Sequence, residues 1–212
     1  MWRAKPRTNK VTPIETLRDP LDSLLHASVR ADAMKSAQHR AFIAPRLMGS
    51  LIAFASLPLY LALRGAPSAI EVMVLVWLVS PILISYYLSR TGKLESAHML
   101  SSLALAAVIF AIAALTGGIF SFAAIWLIAV PLEAALSASR RVVAAAVALS
   151  LGCVLILMLL SVGNALPVSQ IAEASGPLFV ALGIVSATIY TAGLAFGTES
   201  LARTSRLLLD KE

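Results

Sequence analysis

A carboxylate stands inside an apolar run at Val130-Pro131-Leu132-Glu133-Ala134, and a histidine, His98, opens the apolar run before it. A charged group in hydrocarbon costs ~3 kcal/mol on insertion scales, so Glu133 has to be neutral, paired or close to the headgroups. A Glu–His pair can titrate near neutral pH and carry a proton. The two residues flank one turn, with His98 19 residues before Gly117 and Glu133 16 after it. That mismatch of three residues is ~4.5 Å along a helix, short enough for the two to meet. The alternative is that Glu133 reaches the headgroups or pairs with Arg140, Arg90 or Lys93. Pro131 removes a backbone donor and frees the carbonyl of Leu127, a candidate hinge beside Glu133 or simply a packed kink.

Other site chemistries are not written in the chain. There is no P-loop, no His-Glu-x-x-His helix, no Gly-x-Ser-x-Gly elbow and no ATP site of a kinase. Three histidines, one cysteine (Cys153, inside an apolar run) and two acidic residues within the apolar runs, Glu71 and Glu133, do not make a metal site. Nothing in the pattern calls for a cofactor.

The elements that must position these groups are apolar helices. Of 212 residues 59% are hydrophobic and only 13% charged, against roughly 45–50% and ~25% in soluble domains. Six runs, at 47–63, 69–88, 97–115, 119–136, 142–162 and 177–197, are each long enough to cross most of a ~30 Å hydrocarbon core. They are continuous rather than alternating, which favours helices over barrel strands. The expected fold is therefore an all-α, integral membrane six-helix bundle. It divides into a basic segment with an interfacial helix (1–46), a transmembrane domain (47–197) and a helical extension (198–212).

Lys and Arg are split unevenly about these runs. Sixteen of the 17 lie in the N-terminal segment, at Arg90 and Lys93, at Arg140 and Arg141, or in the tail, and Arg64 alone lies on the other side. The split predicts that both termini are cytoplasmic. The net charge of +6 then reflects orientation and contact with anionic lipid rather than a nucleic-acid partner. The opposite face has short loops only, too small for a ligand-binding domain.

At the N-terminus, Asp19-Pro20 reads as a helix start, with Leu21, Leu24, Leu25, Val29 and Met34 recurring at helical spacing toward Phe42 and Ile43. Arg30, Lys35, Arg40 and Arg46 among them suit an interfacial helix, or a helix packed on another domain. Small residues recur every fourth position at Ala144, Ala148 and Gly152, then at Gly183, Ala187, Thr191 and Ala195, with Gly193 and Gly197 beside them, as closely packed membrane helices require. Trp77 and Trp126 lie well inside their runs, where they fill a core or wall a pocket. The last run is expected to continue as a helix through Leu201 and Leu208, which form half of a coiled-coil seam with Leu194. A helix stopping fifteen residues beyond the last run looks cut off, so a downstream domain is expected.

The strings Thr116-Gly-Gly-Ile-Phe-Ser-Phe-Ala-Ala-Ile-Trp126, Val130-Pro-Leu-Glu-Ala134, Ser139-Arg-Arg141 and His39-Arg-Ala-Phe-Ile-Ala-Pro-Arg46 resemble the N-terminal membrane region of alphaproteobacterial sensor histidine kinases of the DivJ type. The likeness covers roughly residues 20 to 212 and includes no catalytic motif. It implies a homodimeric, multi-pass protein of the bacterial inner membrane. It also implies downstream PAS-like and kinase domains with a response regulator as partner, none of which these residues contain. His26, His39 and His98 lack the family's phospho-acceptor context. The resemblance thus implies a sensory or anchoring module. The alternative is a self-contained small transporter or membrane enzyme with Glu133 and His98 as its polar core.

Overall fold

The computed structural model describes residues 24–30, 32–169 and 176–209, and the helix start expected at Asp19-Pro20 lies outside them. The first α-helix, α1 (Ala33–Arg64), begins where the Asp32 carboxylate accepts the backbone N–H groups of Met34 and Lys35, both at 3.0 Å. Those bonds satisfy amides that have no partner within the helix, and this fixes the start at Ala33. They also hold the Asp32 carboxyl below its ordinary pKa, the Lys35 backbone bond contributing most. Leu25 and Val29 do not extend α1. They are buried in a turn and a short 3₁₀ helix (Ala27–Val29), pinned where the Ser36 hydroxyl donates to the Val29 carbonyl at 2.6 Å. At 32 residues, or ~48 Å, α1 joins the expected interfacial helix and the first apolar run into one rod with Pro45 and Pro58 inside it.

The second run forms α2 (Ala69–Trp77) and α3 (Val79–Thr91). A capping box of Ser68 and Glu71 starts α2, and Gly92, at φ 66°, ends α3. The break at Leu78 follows from Pro81, which has no N–H to offer the Trp77 carbonyl. Next come α4 (Leu94–Leu115), the seven-residue α5 (Ala129–Ala135), α6 (Arg140–Val162) and α7 (Gly176–Leu209).

The expectation of a single helix over 119–136 is not met. Two 3₁₀ helices, Gly118–Phe120 and Ala124–Ile128, precede α5. Gly117 and Gly118 take φ of 119° and 66°, which stops a helix from continuing out of α4. Pro131 then denies the Leu127 carbonyl its α-helical partner, and the backbone before it closes as 3₁₀ turns, such as Trp126 N–H to the Ala123 carbonyl at 3.0 Å. Irregular backbone among apolar helices is tolerated when protein covers it. Here Thr116 and Ser121 hydrogen-bond through their hydroxyls, Ser121 Oγ accepts the Ala123 N–H at 3.1 Å, and Gly118 lies under Leu166 and Ser161.

Five stretches are long and apolar enough to cross a membrane: Met34–Leu59, Ala69–Thr91, Leu94–Leu115, Arg140–Val162 and Pro177–Phe196. Large apolar side chains such as Leu51, Ile52, Val76, Leu151, Leu159 and Ile189 cover their outer faces, as lipid contact requires. The chain is a multi-pass, all-α membrane protein. Its interior has two cores. One joins α1, α3 and α4 through Phe42, Ile43, Ile84, Leu88 and Ala97. The other joins α4, the 3₁₀ stretch, α5 and α6 through Leu105, Ile109, Leu127, Val130, Val142 and Leu157. α4 belongs to both, and Ser101 stands halfway along its face between Ala97 and Leu105.

Candidate polar site between the two cores

At that junction four helices bring one charged cluster together. The Arg46 guanidinium of α1 forms an ion pair with the Glu133 carboxylate of α5, and both side chains are nearly buried. Ser101 Oγ of α4 donates to Glu133 Oε1 at 2.7 Å and accepts from Arg46 Nη2 at 3.1 Å. Tyr190 of α7 donates its hydroxyl to Glu133 Oε2 at 3.0 Å. Arg46 Nη1 donates to the Phe42 carbonyl at 3.0 Å, and its guanidinium carbon lies 3.7 Å from the Phe42 ring centroid. Both carboxylate oxygens are thus engaged and the charges cancel, which is how an ionised pair survives in an apolar bundle.

His98 does not hydrogen-bond Glu133. It is buried one turn before Ser101 on α4, its ring edge-on to Phe42 with centroids 4.6 Å apart, and its Nδ1 has no hydrogen-bond partner. The contacts run Glu133, Arg46, Phe42, His98, with the arginine and the phenylalanine linking the two. The other cations considered for Glu133, namely Arg140, Arg90 and Lys93, do not pair with it either. Pro131 sits on α5 two residues before Glu133, where the 3₁₀ stretch has just given way to the α-helix. The break positions Glu133.

The small-residue stripes divide. Gly183 and Ala187 face inward on α7, and a Cβ on Gly183 would stand 2.8 Å from the Phe122 carbonyl oxygen, so glycine allows this close approach. Tyr190 continues that face one turn later. Gly193 opens onto free space, and Ala144 and Ala148 are exposed on α6. The backbone of α7 is helical through Leu209, while the packing of Gly197, Leu201 and Leu208 lies outside the described residues.

Above the cluster lies a cavity of about 390 Å³, walled by Trp77, Pro81, Ile84, Leu105 and Trp126 and floored by Arg46, Ser101, Glu133 and Tyr190. Trp77 is fixed by its indole N–H, which donates to the Ala104 carbonyl at 2.9 Å, and Trp126 rests on Tyr190 with centroids 5.4 Å apart. Both tryptophans are therefore pocket walls. Among the described residues no three His, Cys, Asp or Glu side chains gather as a metal site would require. The arrangement can bind and orient a small molecule, and the one carboxylate beside the Ser101 hydroxyl is already paired with Arg46.

Reading the sequence alone does not single out Arg46, Ser101 or Tyr190. One signal was present: Glu133 precedes Arg140 by seven residues, and Tyr190 precedes Gly197, the edge of the last apolar run, by seven. Equal depth from one side is what allows the two to meet. No protein-family model, curated protein or solved structure matches the chain.

Proposed function

We propose that this chain is the membrane-embedded sensory and anchoring module of a two-component histidine kinase, with both termini in the cytoplasm of a bacterial inner membrane. The observation that carries the reading is the continuity of α7. One 34-residue helix holds Tyr190, bonded to Glu133 in the pocket, and runs on to Leu209 beyond the last apolar stretch. A ligand or charge change that moves Tyr190 moves a rigid rod, and a helix transmits such a shift along its length. The placement of Lys and Arg supports cytoplasmic termini, and the resemblance of residues 39–46 and 116–141 to DivJ-type kinases supports the PAS and kinase partners, the response regulator and the homodimer. The test is autophosphorylation with ATP in nanodiscs, comparing this chain with the open reading frame that contains it. Phosphohistidine on a longer protein alone supports the module. A frame closing at residue 212, or a longer protein that takes no label, favours a self-contained transporter or membrane enzyme built on the same cluster.

A further inference from the structure

The cavity between α1 and α7 carries features that define the ligand it would take. α1 packs on α3, whereas α7 packs on α5 and the 3₁₀ stretch before it, so these two helices border the cavity without packing along each other. On the α1 side the border is Gly49, where an added Cβ would meet nothing within 4 Å. Access is therefore from the lipid side, past a helix edge with no side chain. The volume lies within the ~300–1,000 Å³ usual for small-molecule sites.

The polar groups set the chemistry of the head. Arg46 and Glu133 neutralise each other, so a charged head entering beside them would leave a net charge in an apolar bundle. The wall also holds a donor with nothing to bond. Ser80 lines the cavity, and its Oγ, closed off from the open space, has no hydrogen-bond partner, so a change of rotamer is what would present it to a ligand. Arg46 adds a second donor: Nη1 carries two N–H groups and gives one to the Phe42 carbonyl. The indole N–H of Trp77 is spent on Ala104, so that ring offers only its apolar face.

We infer that the cavity binds a neutral, membrane-soluble molecule whose head carries an oxygen acceptor of the carbonyl type. The oxygen takes the free Arg46 N–H, joined by the Ser80 hydroxyl once it turns toward the cavity, and the body lies between Trp77 and Trp126. This rests on the cavity being the input of the proposed module, but it is tested on binding alone. Trp77 and Trp126 are the reporters, in a Trp2→Phe background in nanodiscs at pH 9. The probes are 2-tridecanone (neutral ketone), laurate (ionised carboxylate) and dodecane (no acceptor).

The ketone should give a saturable fluorescence change, with an apparent Kd at least tenfold below that of laurate, and dodecane should give none. Ser80→Ala should weaken the ketone roughly fivefold, and Gly49→Leu, which fills the border, should abolish saturation. Tighter binding of laurate would overturn the assignment in favour of an anion site. Equal, unsaturable partitioning of all three probes would overturn it altogether, as would ketone binding indifferent to both substitutions. Failure of the sensory reading looks different: saturable ketone binding with no change in kinase output of the longer protein leaves the site standing and removes only the signalling role.

Discussion

The hydroxyl of Tyr190 on α7 donates to Glu133 Oε2 on α5 at 3.0 Å, while Arg46 on α1 holds the other carboxylate oxygen. Glu133 is thus tied to the first and the last long helix of the bundle at once. Replacing Tyr190 by Phe keeps the ring against Trp126 and removes only the donor. The expected loss of stability is roughly 1.5–3 kcal/mol, the range for a bond to a charged group, read as a lower unfolding midpoint in detergent. An unchanged midpoint would mean that the bond contributes nothing to the fold.

The ion pair should behave unlike a surface pair. Arg46→Met alone leaves the Glu133 carboxylate without its cation among apolar walls, a change that costs roughly 3–5 kcal/mol where a buried pair is broken. Arg46→Met combined with Glu133→Leu removes both charges and should recover most of that loss. Unfolding of the single and double variants in the same detergent measures the coupling, and additive losses would show that the two residues do not interact.

Gly183 and Gly193 offer a paired test of how α7 packs. Gly183→Ala places a methyl group against the Phe122 backbone carbonyl, which cannot swing aside as a side-chain tip would. Overpacking of this kind costs roughly 1–3 kcal/mol. Gly193→Ala meets open space and should be neutral or slightly stabilising, since alanine is the better helix former. Equal effects at the two sites would contradict the inward face assigned to Gly183, Ala187 and Tyr190.

Asp32 links the start of α1 to pH. Its carboxyl pKa is lowered in the folded protein by the bonds it accepts from Lys35 and Met34. A lowered folded pKa contributes stability that is complete above the unfolded value of ~3.9 and fades as pH falls through the folded value. Hydrogen exchange at the Met34 and Lys35 amides, corrected for intrinsic rates, should therefore be protected at neutral pH and lose protection under acid. Asp32→Ala should remove the protection at every pH. Equal protection in the variant at neutral pH would show that the cap contributes nothing.

Much of the fold is legible in the sequence, because lipid forces backbone groups to bond within each segment and twenty apolar residues then declare a helix. The run at 119–136 is comparably apolar, yet it breaks. Hydropathy does not register that Gly117 and Gly118 turn left-handed, that Pro131 withholds a donor, or that Thr116 and Ser121 supply local partners. Glu133 stands out because a carboxylate in an apolar run demands a partner. Its partner does not, because Arg46 reads as one more border charge. Only the unbroken run of α1 past residue 46, and its packing against α3 and α4, turns that guanidinium inward to meet a residue 87 positions away.

The most direct test of the proposed sensory module joins the pocket to its output. Autophosphorylation of the longer reading frame in nanodiscs should be compared between wild type and Tyr190→Phe, at equal folded fraction. The expected result is phosphohistidine on both, with the rate in the variant shifted severalfold because α7 has lost its hold on Glu133. Identical rates would mean that Tyr190 does not couple the pocket to the kinase. No label on either protein would contradict the sensory module itself.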